Sequence, residues 1–132
     1  MGPIATNNNQ TILYYHSGNS LGKQALGYVN ATDAKVNAID ISRTKITGTQ
    51  WVGIAEKLNL SIDQLIQKDH PNFRKQYDKD SDLEEHDWLK LLEKHPEILV
   101  YPIAIRGDKY IQIQTPSDLL KLVKPDSNGI DF

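Results

Sequence analysis

A short polar loop near the start of the chain carries the residues best suited to chemistry. It follows the β-branched and aromatic segment Thr11–Tyr15 and precedes apolar residues at helical spacing. The free N–H groups and dipole of a helix N-terminus attract anions, and a nearby lysine would add positive charge. The candidate ligand loop therefore consists of Ser17, Gly18, Asn19 and Ser20, with Lys23 one turn further on.

A structural interpretation of the same loop is simpler. Asparagine is among the best N-cap residues, and such a cap stabilises a helix by about 1 kcal/mol relative to alanine. We therefore favour helix capping by Asn19 and keep a small-anion site as the alternative. Nucleophilic catalysis by Ser17 or Ser20 would need His16 as its base, and the sequence indicates neither an acid partner nor an oxyanion hole.

The composition excludes several kinds of chemistry. The chain has 132 residues and no cysteine, so it can form no disulfide, thiolate nucleophile or Cys-ligated metal site. Its 4 histidines have no i,i+4 pairing, so we predict no metal site, and we predict no cofactor.

The charge pattern limits the partners. There are 15 Lys and Arg residues against 17 Asp and Glu residues, and the charge-dense segment 68–87 mixes both signs. A nucleic-acid reader needs a basic stripe with stacking aromatics, so direct DNA or RNA binding is not expected. No apolar run reaches the roughly 20 residues of a membrane-spanning helix, and residues 1–10 do not resemble a signal peptide. We therefore expect a cytoplasmic protein.

The first half of the chain predicts a β-α-β unit followed by a helical insert. The strands 11–15 and 36–41 should be parallel, because a helix-length crossover separates them. The insert covers about residues 47–96, and Trp51 and Trp88 lie in its apolar stripes as core or interface anchors. Residues 68–82 are interpreted as a loosely packed helical excursion.

Serine residues mark two predicted helix starts within the insert. Ser61-x-x-Gln64 and Ser81-x-x-Glu84 both resemble capping boxes. The helix after Glu84 is amphipathic, and we predict that it stops at His95-Pro96.

The rest of the chain predicts two strands and a helix. Residues 98–105 form a strand that contains Pro102, and a turn at 106–109 leads into the alternating strand 110–114. These two strands should form an antiparallel hairpin. Residues 115–118, Thr-Pro-Ser-Asp, have the order that a helix start prefers.

This order of elements predicts an α/β protein. A β-α-β unit, a helical insert and a β-β-α unit give a mixed sheet with helices on both faces, which is the thioredoxin-like fold. We assign residues 11–124 to one such domain, residues 1–10 to a flexible N-terminal extension and residues 125–132 to a flexible tail.

The segment from Leu89 to Asp108 carries a resemblance to a known family. Its helix, His-Pro pair, proline-containing strand and glycine turn resemble the arsenate reductase (ArsC), Spx and YffB group of thioredoxin-fold proteins. Segments 65–77 and 115–120 are similar to two further motifs of that group, so the resemblance covers nearly all of residues 11–124.

The chain departs from this group at the positions that carry its chemistry. In an ungapped alignment of residues 14–26, Asn19 stands at the nucleophilic cysteine, Ser17 at a proline and Lys23 at an arginine. The other arginines that hold the oxyanion in reductases fall at Gln67, at Tyr101 and at Thr115 or Gln114. An amide cannot attack arsenic, and uncharged side chains replace guanidinium groups poorly. The resemblance therefore implies that the family's catalysis is absent.

Tyr101-Pro102 resembles the cis-proline position that thioredoxin folds present beside the active-site loop. There the neighbouring backbone can pair with an extended peptide. We favour a structural role for this proline, with docking of a peptide or thiol-peptide as the alternative.

Three hypotheses for function follow. The first is a catalytically degenerate ArsC/Spx-like protein that acts as a binding or regulatory module through a protein partner. Because Spx-like relatives bind RNA polymerase, the resemblance implies a transcription-linked partner as one candidate. The second is a small-anion or glutathione binder related to oxidoreductases, with its pocket at loop 17–23. The third is a structural member of a complex that associates through exposed apolar surface.

Overall fold

The sheet is the centre of the protein and confirms the predicted strand directions. The computed structural model describes residues 11–30, 36–78 and 80–122, and the predicted extension 1–10 and tail 125–132 lie outside them. Within the described residues the sheet has the order β2-β1-β3-β4. Its strands are β1 (Thr11–Tyr15), β2 (Val36–Asp40), β3 (Ile103–Arg106) and β4 (Lys109–Gln112). β1 pairs in parallel with β2 and antiparallel with β3, and β3 and β4 form the expected hairpin.

Four α-helices and three 3₁₀ helices occupy the rest of the described chain. The α-helices are α1 (Ser20–Asn30), α2 (Gly48–Leu58), α3 (Pro71–Arg74) and α4 (Glu85–Lys94). The 3₁₀ helices are Ile62–Leu65, Pro96–Ile98 and Pro116–Lys121. No helix in these described parts is long and apolar enough to cross a membrane.

Alternating side chains of the central strands divide the core between the two faces of the sheet. Ile12 and Tyr14 of β1 pack with the insert, whereas Leu13 packs with the apolar residues of α1 and of the last 3₁₀ helix. Ala104 of β3 joins Leu13, and its neighbour Ile105 faces the insert. Helices therefore cover both faces, as the pattern predicts.

The insert is closely packed around Phe73, which corrects the expectation of loose packing for this part of the chain. Phe73 of α3 is only 1% exposed and stacks on Trp88 with ring centroids 5.7 Å apart. The ammonium of Lys68 lies 5.2 Å from the centre of the same indole ring and 2.7 Å from a carboxylate oxygen of Asp63. Trp51 is also buried, so both tryptophans serve as core residues.

The predicted cap of α4 at Ser81 is wrong. The helix begins at Glu85, and its N-cap, Glu84, makes no side-chain capping bond. Residues 81–84 have no helical structure, because the half-buried Leu83 packs against the core. Acidic residues in the first turn, Glu85 among them, instead complement the dipole of α4.

The predicted strand 98–105 is shorter in the structure. Residues 96–98 form a 3₁₀ helix, Leu99 makes an isolated bridge with Ile66, and β3 starts only at Ile103. Pro102 has no N–H to donate to a ladder, so regular pairing cannot pass through it.

The predicted capping box at Ser61 and the predicted helix start at Thr115 are both present, but each opens a 3₁₀ helix. Ser61 and Gln64 cap Ile62–Leu65, and Thr115 and Asp118 cap Pro116–Lys121. The side chains of Gln64 and Asp118 accept hydrogen bonds from the N–H groups of Ser61 and Thr115, at 2.8 Å and 3.0 Å respectively.

Candidate functional site

The topology brings loop 17–20, Tyr101-Pro102 and residues 114–115 to one end of the sheet, which we call the site edge. The parallel strands β1 and β2 both end there, with Tyr15 opposite Asp40. The antiparallel β3 starts there, since Tyr14 pairs with Ile103, and β4 ends there, since Ile103 also pairs with Gln112. Loop 17–20, Tyr101-Pro102 and residues 114–115 therefore follow or precede strands at the same edge.

The loop between β1 and α1 is closed by its own hydrogen bonds. The Gly18 N–H donates to His16 Nδ1 at 2.9 Å, and the Asn19 N–H donates to the His16 carbonyl at 3.0 Å. Asn19 Oδ1 accepts from the Gly22 N–H at 3.0 Å, which confirms its role as the N-cap of α1. The side-chain oxygen of Asn19 is thus committed to the helix.

Gly22 allows the first turn of α1 to lie directly on this loop. A Cβ atom at this position would lie 2.7 Å from the His16 carbonyl oxygen, well inside van der Waals contact. A side chain is therefore excluded, and the loop and the helix are held against each other.

Asp40, at the end of β2, ties the loop to the neighbouring strand. Its Oδ1 accepts from the Ser17 N–H at 3.1 Å, from the Ser42 N–H at 3.0 Å and from the Ser42 hydroxyl at 2.8 Å. Burial alone would raise the pKa of Asp40, but the hydrogen bonds from Ser17 and Ser42 together outweigh this effect and lower the pKa to about 2. The carboxylate is therefore ionised at neutral pH and anchors the loop electrostatically.

Sequence reasoning missed Asp40, although a signal was present. An aspartate that ends a strand two residues before a serine is typical of an Asx turn, in which the carboxylate accepts the following N–H. The bond to Ser17 N, across 23 residues of sequence, has no such local signature.

The start of α1 keeps some capacity for an anion. Within the described chain, the N–H groups of Ser20 and Leu21 have no acceptor, as is usual for the first turn of a helix. Lys23 is exposed and makes no ion pair with another described residue. In the same parts of the chain, no group of three His, Asp or Glu side chains could hold a metal ion.

Comparison with solved structures identifies the fold. An arsenate reductase from Vibrio cholerae superposes with a TM-score of 0.76 at 14% identity, covering 89% of this chain and 100% of its own. The chain has an arsenate reductase-like fold. An arsenate reductase (ArsC) related protein from Brucella melitensis gives a TM-score of 0.65 at 16% identity, with 93% and 99% covered. A possible arsenate reductase from Streptococcus mutans UA159 gives 0.67 at 19% identity, with 85% and 98% covered. No protein-family model and no curated protein matches the chain.

Within this arsenate reductase-like fold, three residues at the positions expected for reductase arginines make backbone hydrogen bonds that support the local structure. The Gln67 N–H donates to the Ile98 carbonyl at 2.8 Å, in the short ladder beside Leu99. The Thr115 N–H donates to Asp118 Oδ2 at 3.0 Å, and the Gln114 N–H donates to the same oxygen at 2.9 Å. Residues 114 and 115 therefore serve the cap of the last helix.

The expected cis peptide before Pro102 is absent from this arsenate reductase-like fold. The described residues contain no cis peptide bond, so Tyr101-Pro102 is trans, the isomer that X-Pro bonds favour by about 0.5–1 kcal/mol. Pro102 is buried, and its carbonyl accepts from the Ile113 N–H at 2.8 Å. Tyr101 is half-buried at the site edge.

Proposed function

We propose that this chain is a catalytically degenerate, arsenate reductase-like pseudoenzyme that works as a cytoplasmic binding module for a protein partner. The observation that carries the proposal is the capping bond that Asn19 Oδ1 makes to α1, since the sequence resemblance aligns Asn19 with the nucleophilic cysteine of the reductases. The chain has no cysteine elsewhere that could supply the missing nucleophile.

The rigidity of the site edge supports a binding role. Loop 17–20 is fixed by bonds to Asp40 and His16, so little conformational entropy would be lost when a partner docks there. Tyr101 lies beside Pro102 at this edge, and tyrosine is a favoured interface residue because it offers a large apolar ring with a polar tip. Association through a broad apolar surface is less favoured, since Tyr28, at 37%, is the only large hydrophobic residue classed as exposed in the described parts.

Loss of catalysis is tested by an arsenate reduction assay with glutathione and glutaredoxin or thioredoxin as reductants. We expect no arsenate-dependent turnover from the native chain. The Asn19→Cys variant with arginine at positions 67 and 101 tests whether the framework can regain it. Turnover by the native chain would overturn the proposal.

Partner binding is tested by affinity capture from a cytoplasmic extract of the native host. Tyr101→Ala should lose proteins that the native chain retains, whereas Tyr28→Ala, on the exposed face of α1, is the matched control and should keep them. Equal capture by both variants would exclude Tyr101 and the site edge as the docking surface.

The free N–H groups of Ser20 and Leu21 favour a second candidate, a small-anion or glutathione binder at loop 17–23. A ligand that binds only the folded state raises the melting temperature. Thermal-shift titration with arsenate, phosphate, sulfate and glutathione distinguishes the two. A saturable rise that disappears in Lys23→Ala would favour the anion site, and no shift would favour the partner-binding module.

A further inference from the structure

A groove with a volume of about 290 Å³ lies between α2 and the segment that leads into α4. Its lining includes three half-buried apolar side chains, Val52, Leu60 and Leu83, which pack against the core and keep part of their surface open. The rest of its apolar lining is buried. These three side chains therefore provide the apolar surface that a ligand can contact, and the volume suits one or two side chains of a peptide.

Four carboxylates line the same groove, and three of them are free. Lys68 Nζ lies 2.7 Å from Asp63 Oδ2, so the charge of Asp63 is already answered within the chain. Glu56, Asp82 and Glu85 are exposed and make no ion pair with another described residue. The groove thus combines an open apolar surface with three uncompensated negative charges.

The charge around the groove adds to this imbalance. Residues 78–87 contain six acidic residues and one lysine, a formal charge of −5, whereas the whole chain carries −2. Lys57, the residue after Glu56, has its ammonium 3.9 Å from a carboxylate oxygen of Asp108 and is not paired with Glu56. A negative surface of this kind attracts cationic partners and selects against anionic ones.

The free carboxylates flank the apolar surface on two sides. Glu56 follows Val52 by one turn of α2, whereas Asp82 and Glu85 lie on either side of Leu83 in the sequence. Arginine combines an aliphatic stem, which can lie along apolar side chains, with a guanidinium group that binds carboxylates in a bidentate geometry. The groove is therefore complementary to arginine next to an apolar residue.

We propose that this groove binds a short peptide segment of a protein partner in which arginine alternates with large apolar residues. The apolar side chains would cover Val52, Leu60 and Leu83, and the guanidinium groups would pair with the free carboxylates. The inference rests on the proposed function in that the ligand belongs to a protein partner. The groove shares no residue with loop 17–20 or Tyr101-Pro102, so it is a second contact surface of the binding module.

The probe is the capped peptide acetyl-Leu-Arg-Leu-Arg-amide, titrated into ¹⁵N-labelled full-length protein at low ionic strength and followed by NMR. Saturable shifts are expected for residues 52–60 and 82–86. Acetyl-Ser-Arg-Ser-Arg-amide should bind roughly 10-fold more weakly, the loss expected when one partly buried leucine side chain is removed. Acetyl-Leu-Glu-Leu-Glu-amide should not bind. Equal affinity for the leucine and serine peptides would overturn the proposal, because attraction by charge alone would then explain the binding.

Charge variants locate the site. Glu56→Gln and Glu85→Gln should each weaken binding on the order of 5-fold, the loss expected for one nearby charge in water. Asp87→Asn changes the net charge equally at an exposed residue of α4 that does not line the groove, so this matched control should keep the affinity. Absence of saturable shifts, shifts confined to residues 17–23, or equal affinity in all three variants would overturn the proposal. The titration needs no cellular partner, so its failure is distinct from a failure of partner capture at the site edge.

Discussion

Replacing Asp40 by asparagine should destabilise the protein in a strongly pH-dependent way. The native pKa of about 2, against an ordinary value of 3.8, corresponds to about 2 kcal/mol of stabilisation at neutral pH, since one pKa unit is worth about 1.4 kcal/mol. The side chain is only 13% exposed, so solvent screens these interactions little. Asp40→Asn removes the charge while keeping the shape and one acceptor oxygen.

The sign of the pH dependence follows from the lowered pKa. The stabilisation is fully present above about pH 5, where Asp40 is ionised in both folded and unfolded chains. It is lost as the pH falls through the folded pKa of about 2, because the native state must then take up the proton. The difference in free energy of unfolding between the native chain and Asp40→Asn should therefore shrink between pH 5 and pH 2.

Urea unfolding followed by circular dichroism at a series of pH values measures this difference. Asp69→Asn, at an exposed acid that makes no ion pair with another described residue, is the matched control and should change stability by less than about 0.5 kcal/mol. A difference for Asp40→Asn that is constant with pH, or below about 0.5 kcal/mol at pH 7, would refute the reasoning.

Five further substitutions test the packing around the loop and the insert, each by urea unfolding. Gly22→Ala should lower the free energy of unfolding by about 1–3 kcal/mol, because its Cβ would meet the His16 carbonyl. Gly27→Ala has open space around its Cβ and should raise the free energy of unfolding by up to about 1 kcal/mol. Equal effects of the two substitutions would contradict the close approach at Gly22. Asn19→Ala should lower the free energy of unfolding by about 1 kcal/mol, and Asn19→Ser, which keeps a capping oxygen, should lower it much less. Equal stability of the native chain and Asn19→Ala would contradict the role of the cap. Phe73→Ala should cost about 3–5 kcal/mol, and a loss below 1 kcal/mol would mean that α3 is loosely packed after all.

Local patterns explain which parts of the fold could be predicted. Asn19 before an apolar helical stripe, and Thr115 three residues before Asp118, are helix starts whose bonds join residues three apart in sequence. The predicted helix cap at Ser81 is wrong because contacts distant in sequence outweigh the local pattern there. A capping pattern is present there, but Leu83 packs against the core and the helix begins only at Glu85.

The sequence by itself determined the chemistry that is missing and the general plan of the fold. Without cysteine no thiolate can form, and the spacing of apolar residues indicates where most of the strands and helices lie. Tertiary structure decided which polar groups meet. The bond from Ser17 N to Asp40 and the approach of Gly22 to His16 both need the strands and helices to be packed first. Such contacts depend on distances in space that the order of residues does not encode locally.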